Sequence, residues 1–179
     1  MGYKVALVSD SHGNLDYINI FLNNIESQQV DQVIHLGDNY DDCQPIIDKK
    51  LHLTRVPGTW TPYYLNKQID NRLHETINDW HFFLTHTPTS HYNDLNIDEH
   101  PEDVIKQKKC DIFCHGHTHH PKVENINDVW VINPGHIKDE TDRGYPATYA
   151  ILDLNKASFT VTIYHLLDNK IFLQKECVK

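Results

Sequence analysis

An α/β sandwich, built as a single domain over residues 1–179, is the fold class that this sequence predicts. Three observations carry it. The first half alternates short apolar runs with segments of helical period. The second half is almost entirely strand-like runs joined by turn residues. The polar clusters with chemical potential each stand directly after an apolar run. The first two place sheets between helix layers. The third puts reactive residues at strand ends, where ligands gather in open α/β sheets.

The elements follow in order. Tyr3 to Val8 is an apolar run of strand length, and Asp10 to Asn14 forms the loop that leaves it. Leu15, Ile18, Phe21, Leu22 and Ile25 recur at helical spacing, which predicts an amphipathic helix from 16 to about 28 with Asn14 as its cap. A second strand over 33–36 ends at Gly37-Asp38, and a helix near 44–49 precedes a third strand over 51–56, stopped by Pro57-Gly58. Further strands are expected over 80–84 and 111–114, with a helix over 101–109 between them. The texture then changes. Runs at 123–126, 129–132, 148–154, 159–164 and 171–174 read as strands. Asn127-Asp128, Asn155-Lys156 and Asp168-Asn169 supply the turns between them.

The densest chemistry lies in Cys114-His115-Gly116-His117-Thr118-His119-His120, four imidazoles within residues 115–120. Upstream, Asp10-Ser11-His12 and Gly37-Asp38 offer carboxylates, and Thr85-His86 adds another imidazole. Asp-x-His and His117-Thr118-His119 each place two donors on one strand exit, because residues i and i+2 of an extended segment face the same way. Gly37 gives Asp38 the freedom to turn its carboxylate inward. Singly, each aspartate also suits a cap or turn and each histidine a surface site. Together, imidazole and carboxylate suit manganese, iron, nickel or zinc. His35 lies within a predicted strand and reads as a packed neutral imidazole, whereas His52, His74, His81, His100 and His165 read as solvated or capping residues.

Several classes are disfavoured. The formal net charge is −9 and no stretch gathers lysine and arginine densely, so duplex nucleic-acid binding, which rests on phosphate neutralisation, is not expected. No window is apolar for long enough to span a membrane. The start goes directly into a strand-like run, without the longer apolar region of a secretory signal. Cys43, Cys110, Cys114 and Cys177 form no paired CxxC pattern, so reduced thiols and a cytoplasmic location are expected. Oligomeric state is left open, a homo-oligomer included.

The motifs Asp10-Ser11-His12, Gly37-Asp38, Thr85-His86, Gly116-His117-Thr118-His119 and Asn133-Pro134-Gly135 resemble, in this order, those of the calcineurin-like metallophosphoesterases. The likeness is closest to their small, single-domain bacterial and archaeal phosphodiesterase branch. It runs from Tyr3 to about Leu154, and Pro146-Ala147-Thr148-Tyr149-Ala150-Ile151-Leu152 is similar to that branch's closing strand. The resemblance implies a four-layer αββα sandwich and two divalent metal ions, manganese first, with nickel, iron or zinc as alternatives. It also implies hydrolysis of a small-molecule phosphate ester, foremost a phosphodiester, by a metal-bridging hydroxide attacking in line at phosphorus.

Carried over position by position, one cation falls to Asp10, His12, Asp38 and His119. The second shares Asp38 and adds His86 and His117. The general acid is unassigned, with His136 and His91 as candidates. Tyr63, Tyr64, Tyr92 and Trp60 lie in loops placed to wall the cleft, although aromatic residues of loops also pack ordinarily. The family's next ligand is the Asn of a Gly-Asn motif, usually followed by His or Cys. This chain has Gly58-Thr59-Trp60-Thr61 instead, so the second metal site is expected to be weak at Thr59. The same departure supplies the alternative reading: a weakly active or inactive binding or scaffold protein of this fold, as the small retromer subunit is.

Overall fold

The structure is a computed structural model that describes residues 2–179. The chain begins with β1 (Tyr3–Val8), α1 (Leu15–Glu26), β2 (Gln32–His35), α2 (Gln44–Asp48) and β3 (Leu53–Arg55). There follow β4 (Arg72–Ile77), β5 (Trp80–Thr85), α3 (Pro101–Lys106), β6 (Ile112–Cys114), β7 (Lys122–Ile126) and β8 (Val129–Asn133). Two short strands, β9 (Thr141–Asp142) and β10 (Tyr145–Pro146), form a separate ribbon. The chain closes with β11 (Thr148–Leu154), β12 (Ser158–His165) and β13 (Ile171–Val178).

Two open mixed sheets result, with strand orders β13-β12-β11-β1-β2-β3 and β4-β5-β6-β8-β7. Their inner faces meet in a central core, where Val5, Leu7 and Ile34 of one sheet join Phe82, Leu84 and Ile112 of the other. Because side chains alternate along a strand, Ala6 and Val8 of β1 face the other way, onto Phe21, Leu22 and Ile25 of α1. Burial on both faces is why β1 reads as a nearly continuous apolar run. On the far side, Phe83 and Phe113 pack with Val104 of α3. The layers are therefore helix, sheet, sheet, helix, the expected αββα sandwich.

The differences from expectation have local causes. Asn14 caps α1 as predicted, accepting from the Tyr17 backbone N–H at 3.1 Å. The helix stops at Glu26, and the chain then turns at Gln29, whose φ is +54°. In the same way α3 ends at Lys106, ahead of Lys108 at φ +51°. Strand β4 was not foreseen, because Arg72-Leu73-His74-Glu75-Thr76-Ile77 carries too few apolar side chains to stand out. Its pairing with β5 is set by Asn78-Asp79, at φ +48° and +68°, the hairpin turn with two left-handed residues. That dipeptide was the legible signal. The four cysteines are free and buried, and no helix among the described residues is long and apolar enough to cross a membrane.

His35 is fully buried, as the strand reading anticipated. Its Nδ1 accepts the Gly37 backbone N–H at 3.3 Å, and its Nε2 lies 3.4 Å from the Ser11 hydroxyl. Burial pushes its pKa down to about 4, against the pull of Asp42 and Asp10 and with the repulsion of His86 and Arg55. An unfolded histidine titrates near 6.5, so between these values the unfolded chain holds more protons and stability falls on acidification, by about 3 kcal/mol in full. Urea unfolding at about pH 7 and about pH 4.5 is expected to show this loss, and His35→Gln to reduce it. An unchanged slope in the variant would assign the acid sensitivity elsewhere.

Candidate metal centre

The loops leaving β1, β2, β5 and β6 bring the predicted ligands to one place. Asp10 and His12 follow β1, Asp38 follows β2, His86 comes directly after β5, and His117 and His119 follow β6. Asp10, His12, Asp38, His117 and His119 have φ values of +54°, +48°, +81°, +64° and +62°. Left-handed backbone at non-glycine residues costs on the order of 1–3 kcal/mol each and clusters at functional sites. Here the surroundings enforce it. The Asp10 N–H donates to the Gly37 carbonyl at 3.2 Å, and the His117 N–H donates to the Asp10 carboxylate at 2.9 Å. Close approach depends on two glycines. A Cβ at Gly58 would lie 2.3 Å from Asp38 Cα, and one at Gly116 would lie 1.9 Å from Ser9 Oγ and 2.6 Å from Asp10 Oδ2.

Two clusters that could hold a cation form, with donor atoms within 4.8 Å of one another in each: Asp10, His12 and His119, and Asp10, Asp38 and His86. Asp10 belongs to both. Asp38 reaches the first cluster through its Oδ2, 3.1 Å from His12 Nδ1. His117 joins the second through its Nδ1, 3.3 Å from His86 Nε2. His12 Nε2 and His119 Nε2 face each other at 3.2 Å. Asp38 Oδ2 is buried, and despite its nearness to His12 it makes no hydrogen bond of acceptable geometry. A buried carboxylate oxygen without a donor, among converging imidazoles, fits a cation.

The ring nitrogens facing away are held. His86 Nδ1 lies 2.8 Å from the Leu36 carbonyl, which leaves Nε2 as a lone-pair donor. His119 Nδ1 is 2.5 Å from Asp142 Oδ2, and Lys138 Nζ donates to the other carboxylate oxygen at 3.1 Å. This carboxylate–histidine arrangement orients a ligating imidazole from behind. Asp142 was missed by the sequence reading, and only its place on the β9 ribbon brings it to the site. Asp42 was missed as well. Its carboxylate accepts from the Ser11 hydroxyl at 2.6 Å and the Gly13 N–H at 2.7 Å, shaping the loop between Asp10 and Asn14.

Burial alone would raise the Asp10 carboxyl, but His119 and His86 beside it hold it well below the usual carboxylate range. Burial pushes the Asp38 carboxyl up, only partly offset by His12. Burial, then His86, lowers His117 to about 4, and burial also lowers His12. His119 is raised, because its bonds to Asp10 and Asp142 outweigh burial. Neutral imidazoles and an ionised carboxylate are the states that bind cations, and at His119 proton and cation compete.

The remaining predicted positions differ in placement. Thr59 is buried, and its Oγ1 has no partner among the described residues, while its carbonyl accepts from Asn93 Nδ2 at 2.9 Å. His136 is fully buried, with Nε2 3.0 Å from the Tyr145 carbonyl and Nδ1 accepting the Lys138 N–H at 3.3 Å. Both its nitrogens are engaged. His91 stands with its ring centroid 6.0 Å from that of His117. Tyr64 takes the ordinary packed alternative, buried with its hydroxyl on Asp94, because the short helical turn Pro62–Leu65 points it inward. Trp60 and Tyr92 are exposed. His115 and His120 join neither ligand cluster.

The chain is similar to known phosphoesterases. A family model for the calcineurin-like phosphoesterase superfamily domain matches residues 3–157. A phosphodiesterase of Methanocaldococcus jannaschii is 28% identical over 170 residues, covering 87% of this chain and 96% of that protein. A predicted phosphoesterase from Streptococcus pneumoniae shares the fold with a TM-score of 0.74 at 22% identity, covering 100% of this chain and 99% of the other. Vacuolar protein sorting 29 from Cryptosporidium parvum shares it with a TM-score of 0.74 at 18% identity, covering 99% of each chain.

Proposed function

Because the chain belongs to the calcineurin-like phosphoesterase superfamily and is a phosphoesterase, we propose that it is a phosphodiesterase dependent on two divalent cations. The observation that carries this is the convergence of Asp10, His12, Asp38, His86 and His119, with His117 against His86, where the buried Asp38 Oδ2 makes no hydrogen bond. Asp10, His12, His119 and Asp38 would hold one cation, and Asp38, His86 and His117, with Asp10 beside them, would hold the other. When bound, the cations supply Lewis-acid charge and lower the pKa of water toward neutrality. The chain's part is to hold the donors rigidly, through Asp142, the Leu36 carbonyl and the two tight glycine contacts. His91 accepts the Asn93 N–H on Nδ1 at 3.2 Å, which leaves Nε2 as the ring nitrogen free to donate. Of the two histidines considered for the leaving group, His91 is the one with a nitrogen left to donate.

The test is metal analysis of the purified protein, followed by aryl phosphodiesters and monoesters offered with manganese, nickel, iron or zinc. Diester turnover that needs added metal and exceeds monoester turnover is expected. Turnover unaffected by metal removal, or confined to monoesters, rejects the proposal.

The scaffold reading is favoured by one observation, the threonine hydroxyl that stands without a partner where the family supplies an amide ligand. Thr59→Asn is expected to tighten the second cation by about 10-fold, within the range that single groups at metal sites command. An unchanged affinity and rate would clear Thr59 as the weak point.

A further inference from the structure

We propose that Trp60 and Tyr92, braced on His91, form a stacking surface beside the metal centre that selects phosphodiesters carrying a nucleobase. The inference rests on the phosphodiesterase reading for the position of the phosphate, and adds the substrate class.

Trp60 and Tyr92 leave 70% and 74% of their surface exposed. They are not scattered. The rings of Trp60 and Tyr92 lie 5.5 Å apart at 68°, and both meet His91, at 5.8 Å and 4.3 Å. His91 in turn meets the ligand His117 at 6.0 Å, so the aromatic patch abuts the metal centre. Contiguous exposed apolar surface beside a polar centre marks a ligand site.

These two rings are also idle in the fold. The other tryptophans are anchored: Trp80 Nε1 donates to the Asn155 carbonyl at 2.6 Å, and Trp130 Nε1 to the Val178 carbonyl at 2.9 Å. Among the described residues, neither the Trp60 indole nor the Tyr92 hydroxyl has a hydrogen-bond partner. Their backbones are nevertheless held. Thr61 donates its N–H to the Gly58 carbonyl at 3.1 Å, and Asn93 ties the two loops together through the Thr59 carbonyl at 2.9 Å. His91 N–H is fixed at 2.8 Å on Asp94, which Arg72 secures at 2.6 Å. Exposed rings on a braced backbone form a prepared platform.

The chemistry of the occupant follows. A flat aromatic ring gains from stacking on such a surface whatever its edge pattern. Residues 59–62 and 88–93 contain no lysine or arginine, so nothing there tracks the phosphates of a long nucleic acid. A single nucleoside on a phosphodiester fits both conditions.

The experiment compares adenosine 5′-monophosphate, ribose 5-phosphate and phenyl phosphate as ligands of the manganese-loaded and metal-free protein. Calorimetry gives affinity, and tryptophan fluorescence reports contact with Trp60. The adenosine nucleotide is expected to bind roughly tenfold more tightly than ribose 5-phosphate, the scale of one stacked base, and to quench fluorescence. Trp60→Leu and Tyr92→Leu should remove that advantage without altering ribose 5-phosphate binding, and Trp60→Phe should retain it. For diesters, Trp60→Leu should raise KM for a nucleoside substrate and leave an alkyl diester unchanged. Equal affinity with and without the base overturns the proposal, as does a patch that takes only a protein partner. Phenyl phosphate binding as tightly as the nucleotide overturns the nucleoside preference. Base-dependent binding without hydrolysis of any diester would sink the phosphodiesterase reading and leave the platform standing.

Discussion

Asp10→Asn is expected to lower metal-dependent phosphoester hydrolysis by more than about 100-fold, beyond what loss of a group behind the ligands costs. Asp10 is the one residue in both ligand clusters, with Oδ1 3.3 Å from His119 Nε2 and 4.0 Å from His86 Nε2. Asparagine keeps the shape and can still accept the His117 N–H, so the change removes charge with little repacking. Metal content should fall at both positions. A second readout is independent of turnover. A cation at 100 times its Kd stabilises the folded state by about 2.7 kcal/mol. For a chain of this size that raises Tm by roughly 5–10 °C. The variant should lose this shift. Full metal content and full turnover in Asp10→Asn would show that the cation site lies elsewhere.

Asp142→Asn is the second large effect, and it separates the two clusters. The carboxylate fixes His119 through Nδ1 and is steadied by Lys138, and despite partial burial these partners hold its pKa down to about 2. Losing such a support is expected to cost about 10–100-fold in metal affinity. The loss should fall on the cation held by His119, leaving the one near His86 and His117 largely intact. Two-site metal titration distinguishes the cases. Equal weakening at both sites, or none, would mean that Asp142 does not orient His119. Because His119 carries a raised pKa, the affected site should also bind metal more weakly as pH falls, as the proton takes the cation's place.

The two variants differ in how visible their targets were beforehand. Asp10 ends an apolar run and stands two residues before His12, so its strand-exit placement follows from local pattern. Asp142 lies in Glu140-Thr141-Asp142-Arg143-Gly144, which resembles any charged turn. Its partner His119 is 23 residues away in sequence. The two-residue strands β9 and β10 have no hydrophobic period to detect, and their pairing depends on the surrounding chain. The same limit applies to His136 and His91. Their sequence contexts gave no means of ranking them, whereas the hydrogen bonds on His136 occupy both of its ring nitrogens.

Local pattern by itself determined the layers and the ligand types of this protein. Short, nearly continuous apolar runs wrote β1, β5 and β6, helical period wrote α1, and the ordered Asp, His and Gly motifs named the six candidate donors. These signals are local because side-chain direction repeats along each element. The tertiary structure alone decided which of these side chains stand together, with Asp10 common to both clusters. It also decided that Asp142 stands behind His119, that Tyr64 turns inward while Trp60 and Tyr92 stay out, and that Asp38 keeps a buried oxygen without a donor. Each of these depends on the meeting of loops distant in sequence. The glycines that let those loops approach are read in the chain as single letters, and their purpose is set by the backbone each one touches.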